Sequence, residues 1–239
     1  MSESNLQERL AAIRDRIASA AKRAGRAAHD ITLIAVSKTH SAVAIRAAFE
    51  LGVEHFGENR VQEWEGKRDA LQDLRAEWHL IGHLQSNKAT KAARFFHSVD
   101  SVDDFALAQR LDRARVELGE SRKLRVLIEV RVALEETKSG ITREGLVPLA
   151  EQISTLSCLE LKGLMCIPPF LDDPEKVRPY FSELRQLKGV LEDRLGKTLP
   201  VLSMGMSHDF AVAIEEGATE VRIGTALFGT RSLPPHLTP

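Results

Sequence analysis

Short apolar runs alternate with amphipathic stretches along most of the chain. Eight of these runs have the length and composition of buried strands: 31–36, 53–56, 78–81, 95–99, 124–130, 159–166, 199–203 and 220–223. Apolar residues at helical spacing fill the intervals, as over 101–118, 175–195 and 209–216. Strands that alternate with helices predict a parallel sheet, and eight such units suffice to close a barrel. We therefore predict an α/β fold, a single (β/α)8 TIM barrel.

An open, doubly wound sheet is the alternative arrangement for the same alternation. Such a sheet collects its ligand-binding residues at one switch point. Here a polar or glycine-containing cluster follows nearly every predicted strand, which favours closure into a ring whose strands all end at one mouth. The sequence contains no repeat of fixed period and no long linker, so we expect one domain over 1–239.

An additional helix is predicted before the first strand, over about 4–24. Its apolar positions recur at helical spacing: Leu6, Leu10, Ile13 and Ile17. Ser4 and Gln7 have the spacing of a capping box, and Gly25 stands where a C-cap glycine belongs. The proline-rich tail 232–239 is unsuited to a helix, and we expect it to be extended or disordered.

Composition narrows the range of partners. The 239 residues include 33 basic and 34 acidic side chains, and no basic stripe is interleaved with aromatic residues, so we expect no nucleic-acid partner. No apolar run is long enough to span a membrane, and charges are spread through the first residues, so we expect a cytoplasmic protein without membrane association. Pairing Cys158 with Cys166 would require one predicted strand to fold back on itself, so both are predicted to be reduced.

Lys38 is the first candidate for chemistry. It follows the apolar run 33–36, so it is expected at the barrel mouth, where binding and catalytic groups collect. A lysine amine attacks an aldehyde to form a Schiff base only when it is neutral, and an unperturbed lysine has a pKa of about 10.4. Burial lowers that pKa by up to a few units. A solvated surface charge is the alternative interpretation of a lysine at a strand end.

The last two predicted strands end in clusters suited to a phosphate. Ser203 and Ser207 lie where strand seven closes, and Gly224 and Thr225 follow strand eight. The loops after these strands frequently build the phosphate site of a TIM barrel, although a glycine turn before a helix is the ordinary alternative. Gly224 permits close backbone approach, and Thr225 offers donors before a short helix whose N-terminus favours an anion. With Lys38, these loops point to an aldehyde that carries a phosphate, the chemistry of pyridoxal phosphate (PLP).

Further residues are candidates for contact with the ring of such a cofactor. Arg222 inside the barrel needs a hydrogen-bond acceptor, either a structural carboxylate or the pyridine nitrogen, which this permanent cation would keep unprotonated. Asn59 follows strand two, where it contacts the ring or caps a helix. Met165 ends strand six, in the core or against the ring. His79 and His83 lack companions at metal-ligand spacing, so we predict no metal site.

Seven motifs resemble those of the pyridoxal phosphate homeostasis proteins, the single-domain relatives of the alanine racemase barrel. They begin at Ala35, Phe56, Trp78, Leu84, Gly163, Ser203 and Val221 and follow in this order: AVSKT, FGEN, WHLIG, LQSNK, GLM, SMGMS and VRIGT. The resemblance extends over about 31–231. It is interrupted at His40 and Ser41, where members of the family often have a lysine and a proline, and this leaves open the shape of the first loop.

The resemblance implies a role for each candidate residue. These roles are an internal aldimine of PLP on Lys38, phosphate contacts from Ser203, Ser207, Gly224 and Thr225, and ring contacts from Arg222 and Asn59. It further implies a protein that buffers and delivers PLP without established catalytic turnover, with apo forms of PLP-dependent enzymes as recipients. The chain has no length for the second domain that joins racemase subunits, so we expect a monomer.

Two enzyme classes are the alternatives. A racemase of this barrel class uses a lysine and a tyrosine on opposite faces of its substrate, and the only tyrosine, Tyr180, lies near the start of a predicted helix. A Schiff-base aldolase or phosphosugar isomerase uses the same lysine and phosphate loops and needs a positioned acid or base, for which Glu58 and Asp209 are candidates. Borohydride fixation of PLP on Lys38 in a yellow protein distinguishes a PLP binder from the aldolase and isomerase class.

Overall fold

The structure, a computed structural model of the chain, describes residues 3–133 and 139–229. Within these ranges, eight parallel strands close into a barrel in chain order, and the first strand pairs with the last. The strands are β1 (Thr32–Val36), β2 (His55–Glu58), β3 (Glu77–Leu80), β4 (Ser98–Val102), β5 (Leu124–Glu129), β6 (Leu159–Met165), β7 (Val201–Met206) and β8 (Glu220–Ile223). The predicted α/β barrel is confirmed.

Helices connect the strands and cover the outside of the barrel. They are α1 (Glu3–Arg23), α2 (Ala42–Glu50), α3 (Val61–Arg68), α4 (Ala89–Phe95), α5 (Phe105–Leu118), α6 (Arg143–Ser154), α7 (Arg178–Leu195), α8 (Phe210–Glu215) and α9 (Thr225–Phe228). Short 3-10 turns occur at Ala28–Asp30, Ser86–Lys88 and Pro174–Val177. Because helices cover the outer face of the sheet and side chains fill the barrel, the strands are buried on both faces.

Three strands are displaced along the chain from their predicted limits. β2 and β7 begin two residues later than predicted, and β4 begins three residues later. In the case of β4, Phe95 is the last residue of α4, so its apolar side chain closes a helix and does not open a strand. Helix α5 also begins later than predicted, because the Asp104 side chain caps it by accepting a hydrogen bond from Leu107 N at 2.7 Å.

The additional N-terminal helix is present as α1, which packs against α8 and α9. Gly25 adopts a φ of +67°, and Arg26 N donates to Ala21 O at 2.8 Å, so the predicted glycine C-cap is confirmed. The predicted capping box is wrong, because Ser4 lies inside the helix and its hydroxyl donates to Glu8 Oε1 at 3.3 Å. The tail 232–239 lies outside the described residues.

A polar cluster inside the barrel consists of the buried residues His79, Asp100 and Glu220 and of His55, which is half-buried. His79 Nδ1 is 3.2 Å from Asp100 Oδ2, and His79 Nε2 is 3.1 Å from His55 Nδ1. Burial lowers the pKa of His79, but Asp100 and Glu220 outweigh this effect and raise it above its ordinary value. Within the described residues, the group of metal-ligating side chains is His79, Asp100 and Glu220, whose ligand atoms lie within 4.8 Å of one another. His83, four residues after His79 in the sequence, does not join this cluster and instead lies exposed near Asp103.

The two cysteines are both free thiols. Cys158 is half-buried and Cys166 is fully buried, and no disulfide joins them. Burial raises the pKa of the Cys166 thiol to about 12. No helix within the described ranges combines the length and the apolar character needed to cross a membrane.

Candidate cofactor-binding site at the barrel mouth

Lys38 lies half-buried in the turn that follows β1, at the mouth of the barrel. The turn is attached to β2 by a hydrogen bond from Ser37 N to Gly57 O at 3.0 Å, and it closes with a bond from His40 N to Ser37 O at 3.1 Å. Thr39 has a φ of +65°, which residues other than glycine adopt infrequently. The backbone around Lys38 is therefore held in a specific conformation by its neighbours.

A buried ion pair, the Glu58–Lys67 brace, supports this turn. Lys67 Nζ donates to Glu58 Oε1 and to the backbone oxygen of Ser37, both at 2.9 Å, and the Ser37 hydroxyl donates to Glu58 Oε1 at 2.7 Å. The Glu63 carboxylate accepts a hydrogen bond from Thr39 N and lies 3.5 Å from Lys67 Nζ. Burial raises the pKa of Glu58, while Lys67 and the Ser37 hydroxyl oppose the rise.

Arg222 lies on β8 with its side chain buried inside the barrel. Its Nη1 donates to the Ser203 hydroxyl at 2.9 Å, and its Nη2 donates to the backbone oxygen of Cys166 at 2.7 Å. The acceptors that a buried arginine requires are therefore a hydroxyl and a carbonyl. Ser203 lies within β7, which continues to Met206, and Cys166 directly follows β6, so one guanidinium links β6, β7 and β8. Ser203 is fully buried, and it fixes the orientation of Arg222.

The loops after β7 and β8 meet beside β1. The Ser207 hydroxyl accepts a hydrogen bond from Ala226 N at 3.3 Å, which links the two loops. Gly224 precedes α9, and a β-carbon at this position would lie 3.4 Å from the β-carbon of Val36. Thr225, the first residue of α9, is exposed at the mouth. Together these residues form a polar rim next to the strand that carries Lys38.

Glu129 is a site residue that the sequence analysis did not identify. It ends β5 and is buried, and its Oε1 accepts from the Ser139 hydroxyl at 3.0 Å, while its Oε2 has no hydrogen-bond partner within residues 3–133 and 139–229. Burial raises the pKa of Glu129, and nearby Asp103 adds to the rise, whereas Arg222 lowers it. The available signal was an acidic residue within the apolar run 124–130, where a charge is costly without a function or a partner.

The remaining predicted residues lie at or below the same mouth. Asn59 follows β2 and is half-buried. Met165 is fully buried and pairs in register with Glu129 on one side and Ser203 on the other. Met165 is therefore next to Ser203, the residue that accepts a hydrogen bond from Arg222. Contact between Met165 and the ring of a cofactor remains a prediction.

The residues considered for the alternative enzyme classes have structural partners. Tyr180 lies in the first turn of α7 and packs against the hydrophobic core. Asp209 accepts a hydrogen bond from Met206 N at 2.6 Å and so closes the turn after β7. Glu58 belongs to the brace described above.

The arrangement fits a ligand with an aldehyde at one end and a phosphate at the other. Ile34 pairs with Arg222 across the β1–β8 junction, so the turn with Lys38 lies beside Gly224 and Thr225. Between these ends lie two buried polar groups of the kind that a polar heterocycle can satisfy: the Arg222 guanidinium and Glu129 Oε2, which has no hydrogen-bond partner among the described residues. The residues present therefore fit PLP.

The fold and this site define a barrel of the alanine racemase class: residues 9–232 match the family of the alanine racemase N-terminal domain. The chain is 46% identical over 227 residues to a pyridoxal phosphate homeostasis protein of Aquifex aeolicus, covering 95% of this chain and 99% of the relative. The chain belongs to the family of the pyridoxal phosphate homeostasis proteins, as the sequence motifs had predicted.

Two solved structures are similar to this chain over most of its length. PipY of Synechococcus elongatus, with PLP bound, is 40% identical and superposes with a TM-score of 0.83, over 94% of this chain and 100% of PipY. Alanine racemase of Clostridium difficile superposes with a TM-score of 0.76 at 16% identity, over 95% of this chain and 60% of the racemase. The second likeness shows a shared fold alone.

Proposed function

We propose that this chain binds PLP through a Schiff base on Lys38 and serves to buffer and deliver the cofactor in the cytoplasm. The homeostasis name of the Aquifex aeolicus relative and the PLP bound by PipY support the proposal. The observation in this chain that carries it is the register of β1 and β8, which puts Lys38 beside the polar rim of Gly224 and Thr225.

The phosphate of PLP is assigned to the rim formed by the loops after β7 and β8. Backbone N–H groups at Gly224 and Thr225 and the Thr225 hydroxyl are the proposed donors, and Ser207, already linked to Ala226, adds a second hydroxyl. Ser203 is a further proposed contact, since its oxygen accepts from Arg222 and its own hydrogen remains to be donated. The rim thus offers donors without a carboxylate among them.

The ring of PLP is assigned to the space between Arg222 and Asn59, with Met165 beneath. When bound, PLP supplies an electrophilic carbonyl and a ring able to withdraw electrons. Arg222 is a permanent donor, so a contact with the pyridine nitrogen keeps that nitrogen unprotonated and weakens the withdrawal of electrons. This pairing favours storage of the cofactor over carbanion chemistry, and we propose a binder without catalytic turnover.

The linkage is tested by reduction. The protein is incubated with PLP, treated with borohydride, digested and analysed by mass spectrometry. We expect the modification on the peptide that contains Lys38 and its loss in Lys38→Arg. The matched control is Lys91→Arg, because Lys91 is an exposed lysine paired with Glu65 at 2.6 Å. Modification that persists in a folded Lys38→Arg variant contradicts the linkage.

Delivery and oligomeric state are tested separately. We expect the loaded protein to supply apo PLP-dependent enzymes faster than PLP is released into buffer, and transfer at the rate of release contradicts delivery. We expect sedimentation velocity to give the 26.5 kDa mass of one chain, as proposed for a monomer. A species of twice that mass contradicts the monomer without affecting PLP binding.

A further inference from the structure

A second cavity opens at the barrel mouth, between the ends of β2 and β3. Its volume is about 740 Å³, and we call it the β2–β3 pocket. The polar side chains that line it are Asn59, Arg60, Gln62, His83, Gln85 and Lys88. The pocket includes residues of the WHLIG and LQSNK motifs, to which the proposed function assigns no role.

The lining of the pocket contains basic side chains and no acidic one. It contains Arg60, Lys88 and His83 but no carboxylate. Neither Arg60 nor Lys88 makes an ion pair or a side-chain hydrogen bond with another described residue, and His83 Nδ1 lies 3.9 Å from Asp103 Oδ2. Arg60 is also the N-cap residue of α3, whose side chain makes no capping bond. The pocket is therefore suited to an anionic group.

Three amides add neutral acceptors to these cations. The side chains of Asn59, Gln62 and Gln85 likewise make no hydrogen bond with other described residues. An amide oxygen accepts from an ammonium group, and an amide nitrogen donates to a carboxylate. A pocket with cations and amide oxygens but no acid matches a zwitterion whose carboxylate is bound more strongly than its amine.

The pocket lies next to Lys38. Val36 pairs with Gly57, so Lys38 and Asn59 each lie two residues beyond this pair, on neighbouring strands. The end of β3 approaches this point closely, because a β-carbon at Gly82 would lie 2.5 Å from the backbone oxygen of Asn59. A ligand in the pocket is therefore on the other side of β1 from the rim assigned to phosphate.

We infer that the β2–β3 pocket binds a free α-amino acid, with the carboxylate at Arg60 and Lys88 and the amino group toward Asn59. The volume leaves room for a side chain beyond the common part of the molecule. The inference goes beyond the proposed function. It rests on that function only in one respect, namely that the amino group would face the PLP proposed to be bound at Lys38.

The test uses the PLP-free protein and nuclear magnetic resonance of its backbone amides. The probes are L-glutamine and 4-aminobutanamide, which has the same side chain and amine but no α-carboxylate. We expect L-glutamine to shift the signals of Gly82 and Gln85 in a saturable way. We expect 4-aminobutanamide to need at least a tenfold higher concentration. Equal concentrations for the two probes, or no shift with either, overturn the inference.

Variants locate the anionic contact. Arg60→Gln and Lys88→Gln are each expected to raise the half-saturating concentration of L-glutamine at least fivefold. Both should leave that of 4-aminobutanamide unchanged. Lys91→Gln is the matched control, because Lys91 lies on the neighbouring helix α4 outside the pocket lining and should change neither value. An unchanged response to L-glutamine in both pocket variants contradicts the assignment.

A titration with inorganic phosphate distinguishes a pocket that binds the carboxylate of an amino acid from one that binds phosphate. If phosphate shifts the same signals at a lower concentration than L-glutamine, the pocket is a phosphate site and the amino-acid assignment is wrong. Because these titrations contain no PLP, their failure leaves the borohydride result intact, and failure of PLP binding leaves the titrations intact.

Discussion

The Arg222 guanidinium donates to the Ser203 hydroxyl across 2.9 Å inside the barrel, and this bond joins β8 to β7. Both side chains are buried, at 3% and 0% exposure. A hydrogen bond from a charged donor is stronger than one between neutral groups, and an unsatisfied buried guanidinium is costly. The residue proposed to face the ring of PLP thus also contributes to the stability of the barrel.

Ser203→Ala is expected to lower the free energy of unfolding by about 1–3 kcal/mol, because it removes an acceptor from a buried charged donor. Urea denaturation followed by circular dichroism measures the change. Ser86→Ala is the control, since Ser86 is exposed and its loss should change stability by less than about 0.5 kcal/mol. Equal stability of Ser203→Ala and the wild type would refute the structural role of the bond.

Arg222→Glu is expected to change the absorption spectrum of bound PLP and to increase its side reactions with amino acids. The reason is that a carboxylate favours a protonated pyridine nitrogen, which withdraws electrons more strongly. Spectra are compared at equal PLP loading, with circular dichroism as the check on folding. If a folded variant keeps both the spectrum and the reactivity of the wild type, Arg222 does not contact the ring.

Lys67→Met is expected to destabilise the protein by about 3–5 kcal/mol, because it leaves the carboxylate of Glu58 buried without its cation. Lys67→Met combined with Glu58→Gln should cost less than the sum of the two single changes, since the double variant buries no unpaired charge. Urea unfolding of the four proteins gives the interaction free energy. Additive effects would show that the two side chains stabilise the turn independently.

His79 is expected to make stability depend on pH. Its pKa is raised in the folded protein because Asp100 and Glu220 together outweigh the opposing effect of burial. Its contribution is therefore fully present below the unfolded pKa of about 6.5 and is lost as pH rises through the folded pKa. The stability of the wild type minus that of His79→Gln should fall as pH rises above about 6.5.

Urea unfolding at a series of pH values measures this difference. His83→Gln is the control, because the side chain of His83 is 58% exposed and its loss should leave the pH profile parallel to that of the wild type. A parallel profile for His79→Gln would mean that this imidazole does not change its charge on unfolding.

Two glycines provide a matched test of the barrel wall. A β-carbon at Gly163 on β6 would lie 1.8 Å from the backbone oxygen of Val201, so Gly163→Ala is expected to cost at least about 3 kcal/mol. At Gly189, inside α7, a β-carbon meets nothing within 4 Å, and Gly189→Ala should stabilise the protein by about 1 kcal/mol. Thermal unfolding compares the two, and a fully stable Gly163→Ala would contradict the close β6–β7 contact.

Much of the barrel could be predicted because its strands are apolar runs of the length that a buried parallel sheet requires. β4 was misplaced because Asp100 and Ser101 are polar residues inside a buried strand, whose partners lie far away in the sequence. Lys38, Arg222 and the β7 and β8 loops could be selected because chemistry at strand ends is local in the sequence. The Glu58–Lys67 brace could not, because its two residues are nine positions apart and that spacing does not indicate that their side chains meet.

Glu129 and the β2–β3 pocket escaped sequence analysis for related reasons. The burial of a single carboxyl depends on what surrounds it in three dimensions, and no spacing along the chain indicates that. The pocket combines residues after β2 with residues after β3, and each segment alone has the composition of an ordinary loop.

The burial of Cys166 has a consequence for a protein that handles a reactive carbonyl. With a pKa of about 12, the thiol carries a negative charge in only about one molecule in 100,000 at neutral pH. Sulfur nucleophiles compete with amines for aldehydes, and a protonated, inaccessible thiol is a poor competitor. The sulfur close to Arg222 is thereby kept from hemithioacetal formation and from oxidation, so exposure to peroxide should leave this side chain chemically intact.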